Sequence, residues 1–311
     1  MIPVLTDSDL DRQPLMQVAL RAIEVALAEK SRGNLVAPPR MSVGFPGLGD
    51  LVFTVGGSIG SQPVAGFRVY DTFNGLDHTQ ITAAWSADDA RLLGVIIGER
   101  LGEIRTGAIG GVAIRHMSVP DAELLGVIGT GRQARTQLMA AVAVRKLTRI
   151  RVFGRDEENR RRFAAEMTVL IGVPVEPAAS AQAAVEDADI VICATSSTSP
   201  VLRAGWLKAG AHVNTVGPKT VSEHELGIDV AERATTIATD SLAQIGAYRE
   251  PFFLDGTASA ARVDELESIV GGQIVARHSS SNVTLFCSAG LSGTEVLVAA
   301  AIFESIADSA M

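Results

Sequence analysis

The sequence predicts an α/β protein: a Rossmann-type doubly wound parallel sheet joined to an α+β domain built on an antiparallel sheet. Three observations predict it. From residue 124 onward, runs that are apolar throughout alternate with helix-period segments at intervals of about 30 residues, the pattern of parallel strands covered on both faces and joined by helical crossovers. Before residue 98 the runs are short, β-type and broken by Gly, Pro, Asn and acidic turns, as in an antiparallel meander. Between the two lies "LLGVIGTGRQART" (124–136), an apolar strand that stops in glycine and opens a helix.

Each element follows from its own pattern. Residues 8–30 carry Leu15, Val18, Ala22, Val25 and Ala26 on one helical stripe behind a Ser/Asp start signal, so a helix opens the chain. "DLVFTVGG", "VAGFRVY", "QITAAWSA" and "RLLGVII" are the meander, and "GERLGEIRTGAIGGVAIRHM" returns to helical period. After the glycine turn come a helix over 132–145, "RIRVFG", a helix over 156–171, "VPVEP", a helix over 180–187, "ADIVICAT", "AHVNTVG" and "TTIATD". "VTLFCSAGLSGTEVLVAAAIFESIADSA" closes with a strand and a long apolar-striped helix. The change of pattern sets a first domain at 1–118 and a second at 119–287, with 288–311 crossing back to the first.

Composition narrows the function. A chain of 311 residues with 47% apolar residues fills two cores. A net charge of −8 without any Lys/Arg-rich tract argues against a nucleic-acid or anionic-membrane partner and for small-molecule work. There is no basic-then-apolar leader and no apolar run of roughly 20 residues, which points to the cytoplasm. Cys193 and Cys287 each sit inside an apolar strand, as reduced buried thiols do, and none of the five histidines has ligand spacing with another His or Cys, so no metal site is expected.

The glycine turn carries the chemistry. Gly129, Thr130, Gly131, Arg132, Gln133 and Ala134 fit G-x-G-x-x-A: the first glycine allows a tight turn, the second lets backbone approach a pyrophosphate, and Ala134 lets helix and strand pack closely. The free N–H groups of the helix start face the anion. At the end of the next strand, where NAD-binding domains usually place Asp or Glu, "RVFGRDEEN" has Gly154 followed by Arg155. A missing carboxylate beside a guanidinium suits the 2′-phosphate of NADP, with NAD the alternative; equally, Arg155 can pair on the surface with Asp156 or Glu157, worth under about 1 kcal/mol. Thr195 and Ser196, after "DIVICA", fall at the carboxyl edge of the sheet, where ribose and nicotinamide lie.

"EIRTGAIGGVA", "IGTGRQARTQL", "ADIVICATSSTSPVL", "GAHVNTVG" and "VTLFCSAGLSGTEV", in this order and spacing, resemble the ornithine cyclodeaminase and mu-crystallin family over nearly the whole chain. The resemblance implies a homodimer built through the antiparallel domain, a nicotinamide cofactor in the Rossmann domain and an amino or imino acid substrate. By position it also implies that Arg40, Arg68 and Arg105 hold the substrate carboxylate, that Val216, Gly217, Ser288 and Gly290 line the nicotinamide site, and that Glu295 is the acidic residue of the last helix. A guanidinium presents a planar fork to a carboxylate, and Arg105 is expected near a helix start, whose field favours an anion. Arg68 points opposite to Phe67 and Val69 on its strand, off their core face. Many relatives have lysine at this place; arginine keeps the clamp but stays charged, so it does no proton chemistry.

Where cyclodeaminases of the family carry an aspartate after "NxVG", this sequence has Lys219. An ammonium about 4 Å away changes the energy of an ionic intermediate by ~1 to 4 kcal/mol and reverses the field that a carboxylate supplies. The expected reaction is hydride transfer between NAD(P)H and a cyclic imine or an α-imino or keto acid, with Lys219 the candidate general acid, a carboxylate contact or a solvated lysine. Two other readings stay open. One is an ammonia-releasing cyclodeaminase that recycles bound NAD, with Glu223 or Glu225 as a substitute carboxylate, the latter expected in a short helix. The other is a cofactor-bound protein without turnover.

Overall fold

The structure is a computed structural model in which residues 2–75 and 78–309 are described. Contacts divide the chain into two units, Met1–Ala108 with Gly290–Met311, and Ile109–Ala289, and the division falls inside the helix Arg100–Met117.

The first unit is a sheet backed by two helices. Its strands are β1 (Val4–Thr6), β2 (Leu35–Val36), β3 (Met41–Phe45), β4 (Gly49–Ser58), β5 (Val64–Asp71), β6 (Ile81–Ser86) and β7 (Leu92–Ile97), in the order β1-β7-β6-β5-β4-β2 with β3 also on β4. The meander β4 to β7 is antiparallel throughout, and β1 joins β7 in parallel. Strands β1, β2 and β3 lie outside the sequence expectation because they are short or exposed along their length, with no buried face to impose a period. The helix expected over 8–30 is two helices, Asp7–Asp11 and Met16–Ser31. Pro14 explains the break, since it has no N–H and biases Gln13 away from helical dihedrals. Ala19, Leu20, Ile23, Ala26 and Leu27 are buried on the second helix, which packs against the C-terminal helix Thr294–Ser309; that helix in turn covers β4 to β7. Residues 310 and 311, placed by the sequence in the closing segment, lie outside the described residues.

The second unit is wholly parallel. It comprises β8 (Leu124–Ile128), β9 (Arg149–Phe153), β10 (Val175–Pro177), β11 (Ile190–Cys193), β12 (His212–Thr215), β13 (Thr236–Thr239), β14 (Val263–Glu265) and β15 (Thr284–Cys287). The order is β10-β9-β8-β11-β12-β15-β13-β14, so the winding reverses between β8 and β11. Side chains of β11 show why these runs are apolar throughout: Ile190 and Ile192 enter one core with Leu125, Val127, Leu138 and Phe163, while Val191 and Cys193 enter the other with Val213, Leu226, Phe252 and Leu285. A sheet buried on both faces leaves no polar alternation. The reversal opens a crevice at the carboxyl ends of β8 and β11, the general ligand position of such sheets.

Candidate active site

A cavity of about 640 Å³ fills that crevice. Residues 128–133 form its floor, Phe153 to Arg155 and Asn159 one side, and Ala194 to Ser197 with Val216 and Gly217 the other. Gly129, at φ +124°, donates its N–H to the Phe153 carbonyl, and a Cβ there would lie 2.2 Å from the Ala194 carbonyl oxygen, so the turn excludes any side chain. Gly131 differs. Its φ of −90° suits any residue, and a Cβ built on it meets no protein atom within 4 Å. The space beside Gly131 is therefore open, and the helix Arg132–Val144 starts there without a side-chain cap on its first N–H groups. The Gln133 side-chain oxygen is buried in the same wall with no hydrogen-bond partner. An open cradle and uncapped N–H donors fit a dinucleotide's pyrophosphate.

The β9 edge is laced more tightly than the sequence suggests. Asn159 Nδ2 donates to Thr130 Oγ1 at 2.9 Å, and Arg160, stacked 5.3 Å from the Phe153 ring, donates to the Gly154 carbonyl at 2.6 Å. A Cβ on Gly154 would press on the Thr130 side chain at 2.7 Å. Arg155 is exposed in the cavity wall, and among the described residues it makes no ion pair: Asp156 caps the N–H of Asn159 and Glu157 pairs with Arg161. The surface pairing that the sequence allowed is absent, and the guanidinium faces the cavity uncommitted.

On the opposite wall, Thr195 and Ser196 lie where the sequence set them. Lys219 does not line the cavity. It is 5% exposed and its ammonium donates to the Gly217 carbonyl, an arrangement suited to holding the wall rather than to giving a proton into it. Glu225 precedes the next helix, Ile228–Arg233, instead of joining it, and its buried carboxylate reaches back to Thr195, Thr215, Val216 and Gly217. Ser288 is also behind the wall, its N–H on the Thr215 carbonyl. Burial pushes the Cys287 thiol up to about 12 and raises that of Cys193 as well, so neither is a nucleophile.

The first unit holds a second constellation. Arg105 (4% exposed) donates to Glu295 Oε1 at 2.6 Å, and Arg68 reaches the same oxygen at 3.3 Å. Gln80, which sequence reasoning missed, accepts from Arg68 Nε at 2.9 Å and Nη2 at 2.5 Å, while the guanidinium lies 4.6 Å from the Tyr70 ring. Arg40 donates to the Gly290 carbonyl at 3.0 Å. Gly290, at φ +88°, is thus part of this cluster and not of the cofactor cavity, and a Cβ there would collide with Arg40. Arg105 is the sixth residue of its helix, beyond the free N–H groups, so the expected help from the helix start falls away and the guanidinium itself supplies the charge. Burial pushes the Glu295 carboxyl up, but Arg105 and Arg68, with Arg40, pull it below the usual carboxylate range. Burial lowers the Arg68 pKa against the pull of Glu295, and the neighbouring guanidiniums of Arg105 and Arg40 add to the lowering. Two guanidiniums, Arg68 and Arg105, on one carboxylate leave one positive charge in surplus, which one organic carboxylate offsets.

Among the described residues no cluster of His, Cys, Asp and Glu is arranged to hold a metal ion, and no helix is long and apolar enough to cross a membrane.

Comparison with known proteins finds relatives over most of the chain. A Delta(1)-pyrroline-2-carboxylate reductase of Bacillus cereus is 32% identical over 217 residues, covering 68% of this chain and 66% of the relative, slightly under two thirds of its length. The iminosuccinate reductase of Paracoccus denitrificans is 27% identical over 297 residues, 93% of this chain and 91% of that one. The structure of Thermococcus litoralis Delta(1)-pyrroline-2-carboxylate reductase in complex with NADH and L-proline superposes with a TM-score of 0.90 at 26% identity, covering 100% of this chain and 99% of its own. The model of the ornithine cyclodeaminase/mu-crystallin family matches residues 3–310, and the chain belongs to that family.

Proposed function

We propose that the protein is an NAD(P)H-dependent oxidoreductase that transfers hydride between the nicotinamide and a cyclic imine or an α-imino or keto acid held by its carboxylate, with NADP the preferred cofactor. The observation that carries the reading is the surplus of guanidinium over carboxylate around Glu295, in a chain whose other unit offers a dinucleotide cavity. The relatives support it: one is named a pyrroline-2-carboxylate reductase, and a structure of the same kind of enzyme holds NADH and L-proline.

The nicotinamide supplies the hydride when bound. The chain supplies binding and orientation. Backbone N–H groups at 131–134 hold the pyrophosphate, Arg155 takes the 2′-phosphate, and Thr195, Ser196, Val216 and Gly217 flank the nicotinamide end. Arg40, Arg68 and Arg105 take the substrate carboxylate, and Glu295 and Gln80 keep two of those guanidiniums in place. Arg68 and buried Lys219 move no proton; water delivers it to the imine nitrogen. The exposed apolar residues Met41, Val43, Phe45 and Leu48 of the β3–β4 hairpin form the surface we assign to a homodimer, which sedimentation mass reads directly.

Steady-state assays test the reading. NADPH absorbance falls when Delta(1)-pyrroline-2-carboxylate is added and L-proline accumulates in equal amount. Ammonia released from ornithine without net change in cofactor would establish the cyclodeaminase instead, and NADPH binding without turnover of any cyclic imine, α-imino acid or keto acid tested would favour a binding protein.

A further inference from the structure

We propose that Glu225, which touches neither cofactor nor substrate, is the positioning residue that sets the nicotinamide-side wall of the cavity. The inference rests on the cofactor reading above. Its carboxylate is fully buried and accepts from five donors on two adjacent strand ends. Oε2 takes the N–H of Thr195 at 2.8 Å and its hydroxyl at 2.7 Å, both just past the end of β11. Oε1 takes the Thr215 hydroxyl at 2.7 Å and the N–H groups of Val216 at 3.0 Å and Gly217 at 2.6 Å, at the end of β12. One oxygen serves each strand.

Thr195, Val216 and Gly217 are cavity-wall residues, and Glu225 lies behind them. A Cβ on Gly217 would sit 2.2 Å from the Thr195 carbonyl oxygen and 2.6 Å from the Glu225 carboxyl carbon, so the wall is packed directly on its support. Lys219 completes the clamp from the other polarity, its ammonium on the Gly217 carbonyl while Glu225 takes the Gly217 N–H. The backbone of 225 is fastened too: the Glu225 N–H donates to the Pro218 carbonyl at 3.2 Å, and its carbonyl accepts from Val201, a cavity residue, at 2.8 Å.

Two acceptor oxygens serve these five donors. A glutamine offers one acceptor oxygen and turns an NH₂ group toward N–H or hydroxyl donors at the other strand end. Leaving buried donors unpaired costs more than the hydrogen bond gained in making them, so the wall shifts instead. With 216–217 fixed before any ligand arrives, the nicotinamide meets a preformed surface, and binding costs less ordering.

Glu225→Gln and the milder Thr215→Val, which removes a single donor, test this on the full chain. In Glu225→Gln, amide exchange at Thr195 and Gly217 is expected to speed up at least about tenfold, with the dissociation constant for NADPH up by about tenfold; in Thr215→Val the constant rises by about threefold. The loss is expected in the KM for NADPH ahead of kcat, which general destabilisation would not separate. Unchanged exchange at both amides, or NADPH affinity within about twofold of the native protein in a folded variant, overturns the proposal. If Glu225→Gln does not fold, Thr215→Val decides by the same readings. If the native protein binds no NADPH, the cofactor reading fails while exchange at the two amides still decides whether Glu225 holds the wall.

Discussion

The guanidinium of Arg105 and the carboxylate of Glu295, both buried, meet at 2.6 Å, and Arg68 comes to the same oxygen at 3.3 Å. One carboxylate oxygen thus anchors two cations while Arg40 stands nearby on the Gly290 carbonyl. Arg105→Lys keeps the charge but loses the fork. The KM for the carboxylate substrate is expected to rise at least about tenfold, with NADPH affinity within about twofold. Steady-state kinetics paired with NADPH titration check it; equal losses in both would remove Arg105 from the clamp.

Gly131 separates a structural role from a binding role. A Cβ there meets nothing in the protein and the backbone angle is ordinary, so Gly131→Ala should leave thermal stability unchanged or slightly raised, by about 0.4 to 1 kcal/mol. Cofactor affinity should fall at least about tenfold, because the methyl occupies the approach of the pyrophosphate. Calorimetric melting of the free protein and titration with NADPH measure the two effects. Loss of stability without loss of binding would count against the cradle.

In the proposed function, Arg155 sets the preference for NADPH. Free of Asp156 and Glu157, it is expected to contribute to NADPH alone, so Arg155→Ala should raise the KM for NADPH about ten- to a hundredfold and leave that for NADH within about twofold. Gly154→Asp is a poorer probe, since the new side chain presses on Thr130 and disturbs its bond with Asn159. Kinetics with both cofactors decide; an equal rise in both would place Arg155 outside the 2′-phosphate site.

His212 gives the fold a pH limit. It is buried between Thr284 Oγ1 and Asn214 Oδ1, each at 2.8 Å, and burial, with Arg277 adding, pushes its pKa down to about 3. Because its folded pKa lies below the unfolded value of 6.5, the unfolded chain alone takes up the proton as pH falls through that value, and stability drops until the folded pKa is reached. Between pH 7 and 5 this amounts to about 2 kcal/mol. Urea unfolding at the two pH values should show a smaller difference in His212→Gln than in the native protein; identical differences would mean that His212 takes its proton in the folded state.

The parallel unit is legible in one dimension because its signals are local. An apolar run, two glycines and a helix start occupy thirteen consecutive residues, and the resulting turn at Gly129 and Gly131 has the geometry those residue types imply. The clamp is legible only by residue type and resemblance: Arg68 and Arg105 belong to different elements from Glu295, and no spacing announces their meeting. Gln80 is invisible for the same reason. Glu225 reads as helical because its partners lie 8 to 30 residues away, at strand ends that only the sheet brings together. Lys219 has the right residue type for an acid, but its burial and its contact with the Gly217 carbonyl are not visible in the sequence.

Hydride transfer to a carboxylate-bound imine is tested most directly by isotope. With NADPH deuterated at the transferable position of nicotinamide C4 and Delta(1)-pyrroline-2-carboxylate as substrate, mass spectrometry should find one deuterium at the α-carbon of the L-proline formed, one for each cofactor oxidised. Proline without deuterium, or no proline while NADPH remains bound and unchanged, would contradict the account.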